Sequence, residues 1–241
     1  MIKIDAKGML FNDLNDIIRN SSEDVVIDNC LGQRFIGAGQ SGKTITINGT
    51  PGNALGAYMN GADIEVFGNA QDAVGDTMNE GHIIVHGNIG DTAGYAMRGG
   101  VIYVEGNAGY RSGVHMKAYQ EKFPVIVIGG RVGSFLGEYQ AGGLIIVLGL
   151  HKDGKKMIAD FPCAGMYGGK VFIRSDGKGI DFPEKVTTHL ASADEKEEIR
   201  KYVEDYCRHF GRNDAAELLK DDFTIAVPDS KNPYKQMYCS N

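Results

Sequence analysis

Four groups of residues have types and spacings that could do chemistry. Gly37-Ala-Gly-Gln-Ser-Gly42-Lys43-Thr44 satisfies G-x-x-x-x-G-K-[ST], the loop that cradles phosphates in nucleotide-binding proteins, and contains G-x-G-x-x-G as well. His82 and His86 stand four apart, a spacing that puts two imidazoles on one metal ion when a helix carries them. Arg111, His115 and Lys117 gather positive charge around Gly113. Glu65 and Glu105 are the two carboxylates that a glycoside-cleaving site on one face would need.

Each chemistry depends on the element that presents the residues. A phosphate loop works because a helix starts at the lysine and aims its free N–H groups at the anion. Here Thr44-Ile-Thr-Ile-Asn-Gly-Thr-Pro-Gly52 follows, a β-branched run closed by turn residues, which reads as a strand. The two histidines also lie in a strand pattern, where four residues span about 13 Å, too far for a single ion. They are expected to face solvent. Glu65 and Glu105 fall two repeats apart, roughly 10 Å in a stacked sheet. No Ser/His/Asp or Cys/His set stands out, so the sequence nominates no catalytic, cofactor-binding or metal-ligating residue.

The elements themselves are set by a repeat. Gly37, Gly56, Gly75, Gly94 and Gly113 are 19 apart, and so are Gly49, Gly68, Gly87 and Gly106; both series resume later, at Gly137 and at Gly130 and Gly149. The phosphate-loop glycines belong to this ladder. Between the glycines runs a period-two pattern whose inner positions are all β-branched: Ile45/Ile47, Ile64/Val66, Ile83/Val85, Ile102/Val104, Ile126/Ile128 and Ile145/Val147. The opposite face is mixed early and apolar late, with Val127, Ile146 and Leu148. Met59, Met78, Met97 and Met116 form another row at the same interval, which reads as stacked core filler.

Nineteen residues cannot hold a strand with a crossover helix, so equivalent strands must stack directly as turns of a parallel β-helix, with glycine at the corners. A leucine-rich repeat is disfavoured because its L-x-x-L-x-L pattern and Asn ladder are not evident. About seven coils are expected over 25–176. Open ends need caps. Residues 1–24 read as a helical cap, with Leu14, Ile17 and Ile18 on one face of a helix over 11–20, and 177–241 as a helical extension and tail. In the latter, Ser192-Ala-Asp-Glu195 is a capping box and Gly211 a stop. That helix, or a partner, should cover the apolar late-coil face.

Two stretches break the period. The interval from Gly106 to Gly130 is 24 residues, and His151 to Pro162 is a second irregular stretch, locally basic. Long loops are where solenoids place contacts, so Arg111, His115, Lys117 and the apolar Val127, Ile146 and Leu148 are the candidate partner contacts. Loops 114–124 and 150–164 are candidate ligand-facing segments.

Composition narrows the class. With 34 glycines among 241 residues the chain has about twice the usual glycine, but no Gly-X-Y period, and 42% hydrophobic residues are enough for a core. A net charge of −6 argues against a general nucleic-acid binder. Four dispersed cysteines, no secretory leader and no apolar run of membrane-spanning length lead us to expect a reduced, cytoplasmic protein without membrane attachment.

The coils Gly32-Gln-Arg-Phe-Ile-Gly37, Gly87 to Gly94, Gly106 to Gly113, Gly133 to Gly143 and Gly165-Met-Tyr-Gly-Gly169 together resemble the GXGXG domain family. That family includes the C-terminal domain of the glutamate synthase large subunit and a β-helical subunit of formylmethanofuran dehydrogenase. The resemblance implies an all-β, single-stranded right-handed parallel β-helix with short helical caps. The Gly113-Val-His-Met-Lys insertion and the tail Asn232 to Tyr238 look more like the free-standing version. It further implies a non-catalytic scaffold without cofactor of its own, in a glutamate synthase assembly with a glutamine amidotransferase subunit and an FMN/iron–sulfur subunit. The alternative is the formylmethanofuran dehydrogenase subunit, whose complex carries molybdenum or tungsten. A third reading, an autonomous polysaccharide hydrolase, rests on Glu65 and Glu105. A homo-oligomer is also compatible with the sequence.

Overall fold

The computed structural model describes residues 1–151 and 154–230; Lys152 and Asp153 of the second irregular stretch and the tail from Asn232 to Tyr238 lie outside them. Nine strands stack in chain order, each parallel to the next: β1 (Ile2–Asp5), β2 (Val25–Leu31), β3 (Thr44–Thr50), β4 (Asn60–Phe67), β5 (Glu80–Val85), β6 (Gly100–Val104), β7 (Pro124–Ile128), β8 (Ala141–Val147) and β9 (Gly168–Ile173). They form an all-β parallel β-solenoid of about eight turns. The turn beyond the expected seven comes from β1, a four-residue strand within the segment read as purely helical.

Register follows the repeat. Ile45, Ile64, Ile83, Ile102, Ile126 and Ile145 are successive Cα partners, and all are fully buried. A one-residue slip would turn this whole row to the outside, so the burial itself fixes the pairing. The Met59, Met78, Met97 and Met116 row is equally buried. It continues through Gln140, whose Nε2 donates to the Gly142 and Gly143 carbonyls, to Met166.

The corner opposite the strands has alternating left-handed residues. Positive φ recurs at 54, 56 and 58, at 92, 94 and 96, and at 111, 113 and 115. The outer two of each trio donate their N–H to the following turn, as Thr92 does to Tyr110 O; the middle one donates to the preceding turn, as Gly94 does to Val74 O. The middle residue faces inward. A Cβ on Gly94 would sit 2.5 Å from Ile126 Cδ1, so only glycine fits there. The flanking positions face outward and carry any side chain that tolerates the strain.

Asx ladders, unlike the expectation, are present. Asn69 Oδ1 accepts from Asn88 N, Asn88 Oδ1 from Asn107 N, and Asn107 Oδ1 from Arg131 N; a second file runs from Asn53 through Asp72 and Asp91 to Tyr110. Each side chain satisfies a turn N–H that the tight bend leaves without a strand partner.

Both ends are capped. Helix α1 (Phe11–Asn20) buries Leu14 and Ile18 over the first coil, while Ile17, expected on the same face, is 41% exposed. At the other end β9 pairs antiparallel with β11 (Thr224–Pro228), which pairs with β10 (Val186–Leu190). Neither strand was apparent in the extension. Helix α2 (Ala193–His209) starts at the Ser192 capping box and α3 (Ala215–Leu218) follows it. Among the described residues no helix is long and apolar enough to cross a membrane.

Candidate functional site

The phosphate-loop lysine is occupied structurally. Lys43 precedes β3, and its Nζ donates to Ile18 O at 2.8 Å and Ser21 O at 2.5 Å. It closes the C-terminal end of α1, where free carbonyls favour a cation. No helix follows it, so the loop has no N-terminus to aim at a phosphate.

The late-coil face is covered by the chain itself. Ile199, Val203 and Tyr206 of α2, with Phe223 and Ile225, form one buried cluster with Ile84, Tyr103, Val127, Ile146, Leu148 and Phe172. Val127, Ile146 and Leu148 are fully buried, which corrects their nomination as partner contacts: α2 already desolvates them. The covered strip also begins earlier than the sequence pattern suggested, at Ile84 and Tyr103.

Where α2 ends, its last turn meets polar residues carried by β3 to β6. Thr44, Asp63, Glu65, His82, Tyr103, Asp205, Arg208 and His209 line a cleft of about 330 Å³. His82 Nδ1 lies 2.8 Å from Asp63 Oδ1. His86, expected in solvent, is mostly buried: its ring stacks on Phe67, meets the edge of Phe210, and lies between Glu65 (2.9 Å) and Glu105 (4.0 Å). The two carboxylates proposed for a hydrolase therefore share one imidazole, between two aromatic rings. Tyr206 Oη donates to Glu105 O, and Tyr103 Oη to Asp205. Burial pushes both phenols far above their ordinary range and draws the His209 imidazole down, so the neutral forms prevail there. These bonds tie the helix to the coils. Among the described residues no group of three His, Cys, Asp or Glu could hold a metal.

The Cys30 and Cys163 thiols are closed too. Cys30 is pushed up to about 11 and Cys163 to about 12 by burial, which leaves neither a ready nucleophile.

Arg111 and His115 sit on the left-handed corner, one on each outer file, and Lys117 follows, exposed. Arg111 pairs with Glu138 at 2.9 Å and lies 4.7 Å over the Phe135 ring; Phe135 in turn stacks on Phe161. His115 stacks on Tyr139 and meets the edge of Tyr95. Tyr139 is 48% and Phe161 61% exposed. The late coils carry bulky rings at these outer positions, as the early ones do with Phe35 and Tyr58, whereas the coils between them carry Ala73, Thr77, Thr92 and Ala96 there. The sequence marked Arg111, His115 and Lys117 but missed the rings, which stand two residues from the middle position of each trio, Phe135 and Tyr139 about Gly137 and Phe161 before Cys163.

The GXGXG motif model matches residues 13–229. The uncharacterized protein MJ1350 of Methanocaldococcus jannaschii is 41% identical over 256 residues, covering 98% of this chain and 96% of that protein. Among solved structures, a chain of the formyltransferase/hydrolase complex FhcABCD of Methylorubrum extorquens, in complex with methylofuran, aligns with a TM-score of 0.61. It shares 21% identity over 82% of this chain and 70% of its own, a likeness of fold.

Proposed function

The chain belongs to the GXGXG family, and from that premise we propose that it is a non-catalytic structural subunit that holds the catalytic subunits of a larger enzyme against its flank. The observation that carries this reading is the late-coil corner: rings half in water, mounted on a backbone bonded to the turns above and below. Large rigid aromatics with a neighbouring arginine are the side chains that dominate protein interfaces, because they bury area at little cost in entropy.

Of the two assemblies that the resemblance implies, the fold likeness to a chain of a formyltransferase/hydrolase complex supports the formylmethanofuran dehydrogenase type. The second reading, a glutamate synthase assembly with glutamine amidotransferase and FMN/iron–sulfur subunits, is favoured by the Gly113-Val-His-Met-Lys insertion. The test is native purification from the source cell with identification of the co-purifying chains. Formyl-transferring and molybdenum or tungsten subunits support the first reading, an amidotransferase with an iron–sulfur flavoprotein the second, and recovery of the chain alone overturns both. Tyr139→Ala with Phe161→Ala should reduce the recovered partners at least tenfold while leaving the melting temperature within a few degrees.

A further inference from the structure

Strand β10 ends the eleven-stranded sheet, and among the described residues no strand pairs with its outer edge. Its inner edge pairs with β11, with Thr187 opposite Val227 and His189 opposite Ile225. The flanking bonds, Ala191 N to Phe223 O and Asp229 N to Lys185 O, show that the odd-numbered residues exchange hydrogen bonds with β11. Val186, Thr188 and Leu190 therefore direct their backbone groups away from the sheet. Among the described residues only Val186 N finds a partner there, the Pro183 carbonyl at 2.9 Å.

Such an edge is a template for another strand unless it is blunted by charge, proline or a bulge. Within Val186-Thr-Thr-His-Leu190 there is no Lys, Arg, Asp, Glu or Pro, and the pairing register runs without a shift. Thr187 to Leu190 are all exposed, Leu190 by 55%. The opposite end of the sheet differs: β1 carries Lys3 and Asp5 within its four residues.

The edge is also self-complementary. Placed antiparallel to itself about Thr188, it sets Thr188 opposite the partner's Thr188, Val186 opposite the partner's Leu190, and Thr187 opposite the partner's His189. The two-fold falls on a residue whose N–H and C=O both point outward, so the central pair exchanges two hydrogen bonds. Flanking it are two apolar Val–Leu pairs, a favourable cross-strand combination.

We infer that β10 is a homodimerisation edge, through which a second copy of this chain continues the sheet across a two-fold axis at Thr188. A two-fold contact uses the same patch on both subunits, and a strand centred on its own register meets that condition. The edge is short beside the roughly 800 Å² per partner of a standard interface, so the dimer should be weak and concentration-dependent. This inference is independent of which enzyme complex the chain serves.

Sedimentation of the purified full chain from the micromolar to the millimolar range tests it. The native chain should shift from monomer towards dimer. Thr188→Lys and Thr188→Glu each set like charges face to face and should weaken dimerisation at least tenfold, with unchanged melting temperature since Thr188 is exposed. An equimolar mixture of the two variants should recover the dimer, because only the mixed pair sets Lys against Glu across the axis. A native chain that stays monomeric throughout, a dimer that persists in Thr188→Lys, or a mixture no more dimeric than its components overturns the assignment.

Discussion

One file of residues on the outer face of the sheet runs Thr46, Glu65, Ile84, Tyr103, Val127, Ile146, Phe172, each the Cα partner of the next. The first two are partly exposed and polar; from Ile84 onwards the file is buried. The backbone is the same throughout, so strand geometry does not account for the change. Helix α2 does. The coil repeat dictates which side chains point inward, but the outward positions are free to differ, and they record what lies on top of them.

The largest expected effect breaks or upholds this directly. Ile146→Asp places an unpaired carboxylate under α2 and should cost several kcal/mol, enough to leave the chain largely unfolded. Glu65→Gln, at an equivalent place in its coil, should change stability by no more than about 0.5 kcal/mol. Denaturant midpoints of the two variants decide it. Similar losses would mean that the early strands are covered too, or that α2 contributes little.

A second measurement asks whether the two halves differ anywhere but on that face. The middle glycines of the corner, from Gly37 to Gly113, face the same interior isoleucine ladder, before Cys163 takes that place in the last coil. A Cβ on Gly56 would approach Ile83 Cδ1 to 2.6 Å, and one on Gly113 would approach Ile145 Cδ1 to 2.4 Å. Both have a left-handed φ, +65° and +75°. Gly56→Ala and Gly113→Ala should each lose about 2 to 4 kcal/mol, from left-handed strain plus overpacking. Unequal losses would show that α2 stabilises the coils beneath it as well as the face it covers.

These contrasts also mark how far the sequence could be read. The inner ladders were legible because burial imposes β-branched residues at a fixed interval, and α2 because Ser192, Glu195 and Gly211 are local signals. The left-handed trios were half legible: the middle glycine recurs, but Ala54, Thr92 and Phe135 reveal nothing about their φ. Strands β10 and β11 escaped because they pair across the two intervening helices, α2 and α3, with no turn signal to join them. The same limit hid the site around His86, whose partners Glu65, Glu105 and Phe210 come from two other coils and the end of α2. The candidate contacts separate in burial for one reason: exposure is a property of the assembled surface. Arg111 and His115 are on it; Val127, Ile146 and Leu148 are beneath it.

The smallest effect concerns the anchor of the cover itself. Glu195 closes the α2 capping box, and its carboxylate is held down to about 2 by the hydrogen bond with His189 and then by the Ser192 backbone N–H. A folded-state value below the unfolded one, near 4.5, stabilises the fold above about pH 4.5, and this contribution is lost as pH falls towards 2. Glu195→Gln keeps the capping geometry and removes the titration. Thermal melts from pH 7 to pH 2 should therefore show the variant slightly less stable than the native chain at neutral pH, with the native chain falling more steeply below pH 4.5 until the two converge. Hydrogen exchange under the same conditions sharpens the comparison: as the cap weakens, amides of α2 should lose protection before those of β3 and β4. If the early strands open first, α2 is held mainly by the bonds at its far end, from Tyr206 and Tyr103, rather than by its cap.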